Sequence, residues 1–199
     1  MVSFEELLKR NEKYANGEGC LDLKEVKAAR EETIKGQHPE VCIIACSDSR
    51  VAPETILLAK PGEIFTIRTA GNVVDGEETL ATIEYAVEHL KVKELVVMGH
   101  MSCGAVTATV EGGEAEGHLK YLMEKIKPAV DEAKNALERE GTELNKTNVL
   151  ERAIRINVLH VINEIQTRIP KVKELVDKGE LKLIPAYYNL ETGKVIILE

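Results

Sequence analysis

The apolar positions of this chain follow two rhythms. Three short runs, VCIIACSDSR at 41–50, EIFTIRT at 63–69 and ELVVMGH at 94–100, are rich in Val and Ile, and the first turns abruptly polar. A strand covered on both faces of its sheet reads this way, and its carboxyl end delivers side chains. Between the second and third runs, EETLATIEYAVEHL at 77–90 repeats its apolar residues every three to four positions, as a helix face does. That order predicts a βαβ unit.

The same reading extends to both ends. Ser3 to Asn16 has Phe4, Leu7 and Leu8 at helical spacing with Ser3 placed to cap, and Asp22 is placed to cap a second helix. Gly112-Gly113 marks a turn, and long helices are expected over 117–140 and 147–168, then a short one from Pro170 to Lys178. LKLIPAYYNL and KVIILE, separated by Glu191-Thr192-Gly193, close the chain as a hairpin. The expected fold class is α/β: a mostly parallel central β-sheet flanked by helices, with an N-terminal helical arm over 1–36 and a C-terminal strand hairpin. One domain over 1–199 suits the length.

Composition changes the picture in three places. Two Phe, five Tyr and no Trp leave the core to aliphatic residues. The 26 Lys and Arg against 34 Asp and Glu, a net charge of -8, give no footprint for nucleic acid or an anionic membrane. The first residues, MVSFEELLKRNEKYANGEG, carry acids and no apolar run, so neither a signal peptide nor a membrane anchor is expected and the cytoplasm is the expected location. Four cysteines, at 20, 42, 46 and 103, are too few for a disulfide framework, which turns attention to metal binding.

Cys46 closes the first strand, while His100 and Cys103 close the third as a His-x-x-Cys element. In an open α/β sheet, ligands gather outside the carboxyl ends of strands, so the three can converge. Two thiolates and an imidazole suit zinc, and a set of three with no obvious fourth Cys or His leaves a position for water. Ordinary buried cysteines and a core histidine are the alternative for any one of them alone. Two thiolates also cancel the formal charge of zinc, so its pull on water is weaker than among three neutral histidines. Asp48 and Arg50 follow Cys46 within CSDSR. Such an Asp can ligate the metal or accept a hydrogen bond beside it, and an Arg paired in two-point geometry favours the second.

CSDSRV at 46–51, PGEIFTIRTAGNVV at 61–74 and GHMSCGAV at 99–106 closely resemble the β-class carbonic anhydrases. IEYAVEHLKVKELVVMGH at 83–100 and PAYYNLETGKV at 185–195 are also similar to that family, which extends the match from about Gln37 to the C-terminus. The resemblance implies one zinc ion per chain on Cys46, His100 and Cys103, with Asp48 and Arg50 as a catalytic dyad. It implies reversible hydration of carbon dioxide to bicarbonate and a proton by metal-bound hydroxide. Hydrolysis of carbonyl sulfide or carbon disulfide on the same scaffold, or a non-catalytic zinc-stabilised bicarbonate-binding module, are the alternatives. It also implies a pocket lined partly by a neighbouring subunit, with Phe65, Tyr85, Gln37 and Gly104 at the matching positions, and hence a homodimer or a homotetramer built from dimers. Plain core packing stays open for Phe65 and Tyr85. The helix around Phe4 and Leu7 resembles an arm laid across a partner, though it can equally pack on its own domain. The chain departs from family patterns at Thr69, where plant-like members have Asn, and at Ile43, where a regulatory Trp would accompany Arg68 and Tyr188. His38, His89, His118 and His160 carry no assigned role.

Overall fold

The computed structural model describes residues 2–113 and 115–199. Five strands, β1 (Val41–Cys46), β2 (Ile64–Thr69), β3 (Glu94–His100), β4 (Lys182–Tyr188) and β5 (Val195–Ile197), form one sheet in the order β2-β1-β3-β4-β5. The first three pairings are parallel, and only the terminal hairpin β4–β5 is antiparallel. The expected fold class therefore holds. β1 and β3 sit in the middle and are buried along their whole length, which is why their sequences run nearly without polar interruption.

Because side chains alternate across a strand, each central strand feeds two cores. Cys42, Ile44 and Cys46 of β1, with Leu95 and Val97 of β3, face α4 (Glu77–Glu84), α5 (Gly104–Glu111), α6 (Gly117–Glu140), α7 (Lys146–Arg168) and α8 (Pro170–Asp177). Val41, Ile43 and Ala45, with Val96 and Met98, face α1 (Phe4–Ala15) and α3 (Pro53–Ile56). α7 lies close on β3 because Gly99 has no side chain: a Cβ there would stand 2.8 Å from Val158 Cγ2 and 3.1 Å from Ile154 Cγ2.

α1 packs on its own sheet. Ser3 caps it through Glu6 N, Phe4 and Leu7 are buried, and the Glu94 carboxylate accepts from Phe4 N at 2.6 Å. Buried Asn11 ties the helix down by donating to the carbonyls of Ile56 and Gly193 and accepting from Val195 N. α2 (Leu23–Glu32), capped by Asp22, buries no residue, and Leu23 is largely exposed.

Three features depart from the sequence pattern. The helix expected over 77–90 is α4 followed by a π-turn at Tyr85–His89, where the bond from Leu90 N to Tyr85 O at 3.0 Å spans five residues. α3 begins at Pro53, whose fixed φ suits a first helical position. α5 starts directly behind Cys103 and ends at Gly112 in the left-handed conformation, so the expected turn there is also a helix stop.

Candidate metal centre

Cys46 is the last residue of β1 and His100 the last of β3, and these strands are hydrogen-bonded neighbours. Ser102, at φ +54, bends the chain so that Cys103 enters α5 beside them. The two Sγ atoms are 3.9 Å apart, and both lie with a ring nitrogen of His100 in a group of ligand atoms within 4.8 Å of one another. It is the one such group of three or more Cys, His or acidic residues among the described residues, and all three residues are buried.

The histidine is oriented so that it could serve as a ligand. Its Nδ1 lies 2.9 Å from the carbonyl oxygen of Met101, which can only accept, so Nδ1 carries the proton and Nε2 presents a lone pair. Among the described residues, two buried side-chain polar atoms lack a hydrogen-bond partner: His100 Nε2 and Asn72 Nδ2. A fully buried imidazole nitrogen left bare beside two sulfur atoms fits a soft-to-borderline cation such as zinc.

The sulfur atoms are primed unequally. A hydrogen bond from the Cys103 thiol pulls Cys46 down, against its burial and with help from nearby His100 and from the N–H groups of Asp48 and Gly71. Cys103 is pushed up, first by that shared bond and then by burial, although the Ala105 and Val106 N–H groups at the start of α5 pull it the other way. Cys42, on the same strand, is pushed up by burial alone and stays an inert thiol.

Asp48 and Arg50 form the two-point pair foreseen for them. Arg50 Nε donates to Asp48 Oδ1 at 2.9 Å and Nη2 to Oδ2 at 2.8 Å, while Nη2 also reaches the Ser102 carbonyl at 3.2 Å. Asp48 Oδ2 stands 3.9 Å from His100 Nε2. The hydrogen bond from Arg50 holds the Asp48 carboxyl well below the usual carboxylate range. Arg68 braces the loop from β2, donating to the carbonyls of Cys46 and Asp48 at 3.1 and 2.8 Å. Thr69 Oγ1 donates to Val73 O at 2.7 Å and so shapes the turn that follows β2.

The pocket residues divide. Gly104 opens α5 and is exposed beside Cys103, with open space where a Cβ would be. Phe65, by contrast, pairs in register with Cys42, whereas Cys46 pairs with Thr69, so Phe65 lies about 13 Å back along the strand. Its ring is 6.0 Å from that of Tyr85, on which His89 stacks at 4.8 Å. Gln37 is exposed in the segment that leads into the amino end of β1. Within one chain these three are not gathered at the cysteines.

Sequence reasoning missed the turn at Ala70–Asn72, whose Gly71 N–H donates to Cys46 Sγ at 3.3 Å, and buried Asn157, which donates to Gly71 O at 2.9 Å. One signal was available: Asn157 interrupts the apolar stripe of Ile154, Val158 and Val161 on α7.

Comparison with known proteins identifies one family. Residues 41–195 match the family model described as carbonic anhydrase. Carbonic anhydrase 2 of Mycobacterium tuberculosis is 33% identical over 166 residues, 81% of this chain and 75% of that protein. The carbonic anhydrase of Synechocystis is 30% identical over 172 residues, covering 83% of this chain but 62% of the relative's length. Among solved structures, a tetrameric β-carbonic anhydrase of Sordaria macrospora aligns over 98% of this chain and 96% of its own at 28% identity, with a TM-score of 0.78. The Coccomyxa β-carbonic anhydrase in complex with acetazolamide aligns over 100% and 87% at 26% identity, also at 0.78. The family-model match over residues 41–195, the 33% identical relative and a fold that aligns almost end to end with solved β-carbonic anhydrases place the chain in the β-class carbonic anhydrase family.

Proposed function

We propose that this chain is a zinc-dependent enzyme that reversibly hydrates carbon dioxide to bicarbonate and a proton. The observation that carries the reading is the unpartnered Nε2 of buried His100, set beside the Cys46 and Cys103 sulfur atoms. Zinc supplies Lewis acidity, which makes water a competent nucleophile near neutral pH. Cys46, His100 and Cys103 hold the ion, and the Met101 carbonyl fixes the ring by taking the Nδ1 proton.

Asp48 accepts a hydrogen bond from the attacking water and orients it. Arg50 occupies both carboxylate oxygens, which keeps Asp48 from ligating the metal itself and counts against a closed, non-catalytic site. The N–H of Gly104, at the start of α5, is available to a substrate oxygen. Phe65, Tyr85 and Gln37 line the pocket of a second copy, as the resemblance implies, a reading that fits Phe65's place about 13 Å along β2 from the level of its own Cys46. The enzyme is therefore at least a homodimer, and the unburied helix α2 is free to contact the partner. None of the described helices is long and apolar enough to cross a membrane.

Stopped-flow hydration of carbon dioxide across pH, with zinc measured on the same preparation, tests the reading. Zinc near one per chain and a rate rising into the alkaline range is the expected result. The rise cannot come from Asp48, whose depressed carboxyl is already charged throughout the neutral range. Bound zinc would supply the titration instead, because the Cys46 and Cys103 thiolates would cancel its charge and weaken its acidifying effect. A fully zinc-loaded protein inactive at every pH would sink the proposal.

The dyad has its own test. Asp48→Ala and Arg50→Ala are each expected to lower kcat by about 10²-fold, in the range of a lost oriented hydrogen bond, while zinc stays near one per chain. Near-normal turnover in both variants would remove the pair from the mechanism.

A further inference from the structure

The Ala70–Asn72 turn reaches the cysteines through its backbone, and a single side chain from the other side of the core controls how it does so. Gly71 N–H donates to Cys46 Sγ at 3.3 Å. The carbonyl of the same residue accepts from Asn157 Nδ2 at 2.9 Å. Gly71 sits at φ +62, where glycine is at ease and a side chain is not. The space around it is also closed: a Cβ would lie 2.8 Å from Ile126 Cδ1 of α6 and 3.1 Å from Ala105 Cβ of α5. Glycine is thus required here, yet glycine alone leaves the flanking peptides free to rotate. Asn157, buried on α7, removes that freedom by fixing the Gly71 carbonyl.

A buried asparagine in an apolar helix face costs stability unless its bonds are made. Here its donor is spent on a residue whose N–H bonds a candidate metal-ligand sulfur. We propose that Asn157 is a positioning residue for the metal centre: by holding Gly71 O, it keeps Gly71 N–H on Cys46 Sγ and so sets how firmly that sulfur holds the metal. The inference rests on the zinc reading above. Hydrogen bonds to ligand atoms from outside the coordination sphere fix ligand orientation, and losing one typically costs 10- to 100-fold in metal affinity.

The test compares Asn157→Leu with Val158→Ala. Val158 is buried on the next position of α7 and packs on Gly99, so its truncation loosens the same helix without touching the turn. Asn157→Leu is expected to release zinc to a chromogenic chelator about 10- to 100-fold faster than wild type, and to shift the sulfur-to-metal charge-transfer band of the cobalt-loaded protein. Val158→Ala is expected to lose thermal stability with neither change. Asn157→Ser, too short to reach Gly71 O, is read in the same way if the leucine variant does not fold. Wild-type release and an unshifted band in the Asn157 variants overturn the inference, as does equal release from Val158→Ala. A wild-type chain that takes up neither zinc nor cobalt overturns the metal reading and this inference with it.

Discussion

Cys103→Ala is expected to yield a folded chain that holds little zinc and hydrates carbon dioxide at close to the background rate. The fold should survive because the change removes one sulfur from a buried position at the mouth of α5, and that sulfur fills no large volume. The metal site should not. Zinc sites with four ligands show apparent binding energies of about 10–16 kcal/mol, which implies ~2.5–4 kcal/mol per ligand, or roughly 10²- to 10³-fold in affinity for one lost thiolate. With only three candidate protein ligands within reach of one another, no spare Cys or His stands by to replace it among the described residues. At equimolar zinc the activity per chain should fall by at least about 100-fold. Metal analysis after dialysis and stopped-flow rates on the same sample read the result, with circular dichroism to confirm the fold. Stoichiometric zinc and near-normal turnover in this variant would mean that the metal, if any, sits elsewhere.

The sheet was legible because its central strands are buried on both faces, which leaves an unbroken apolar run that no surface element imitates. The candidate ligands were legible for a related reason: they stand where those runs stop. What the sequence hid lay in places where local pattern and final position part company. α5 reads GAVTATVE, short, with β-branched residues and without a clear polar face, so its helicity comes from its place behind Cys103 and not from periodicity. The π-turn at Tyr85–His89 keeps nearly the spacing of an ordinary helix, and the extra residue shows only in the hydrogen bonds. α1 was read as either an arm or a self-packing helix. The Glu94 carboxylate at its amino end and Asn11 in its middle decide for its own sheet. Phe65 was matched to a pocket by resemblance, and only the strand register reveals how far from its own chain's cysteines it lies.

Gly99→Val is expected to cost both stability and metal, whereas Ile44→Ala is expected to cost stability alone. Ile44 is fully buried on the face of β1 that meets the helices, and truncating such a side chain to alanine costs about 2–5 kcal/mol. That is a large part of the roughly 5–15 kcal/mol that holds a domain folded. The loss arises two residues before Cys46, on a strand still pinned by both neighbours, so the ligand end of β1 keeps its register. Gly99 is different. The first carbon of any side chain there meets Val158 Cγ2 at 2.8 Å and Ile154 Cγ2 at 3.1 Å. Both obstacles are methyls of β-branched residues in a helix, which have one strongly preferred rotamer and cannot swing aside. Overpacking of this kind costs about 1–3 kcal/mol when the core can yield, and here α7 must move off β3 for it to yield. That movement acts on the residue next to His100 and on the helix that carries Asn157, so two supports of the site shift together. Thermal melts should place both variants below wild type, and zinc analysis should separate them, near one per chain in Ile44→Ala and well below one in Gly99→Val. Full zinc in Gly99→Val would mean that the site tolerates displacement of α7, and that the strand ends alone hold the ligands in place.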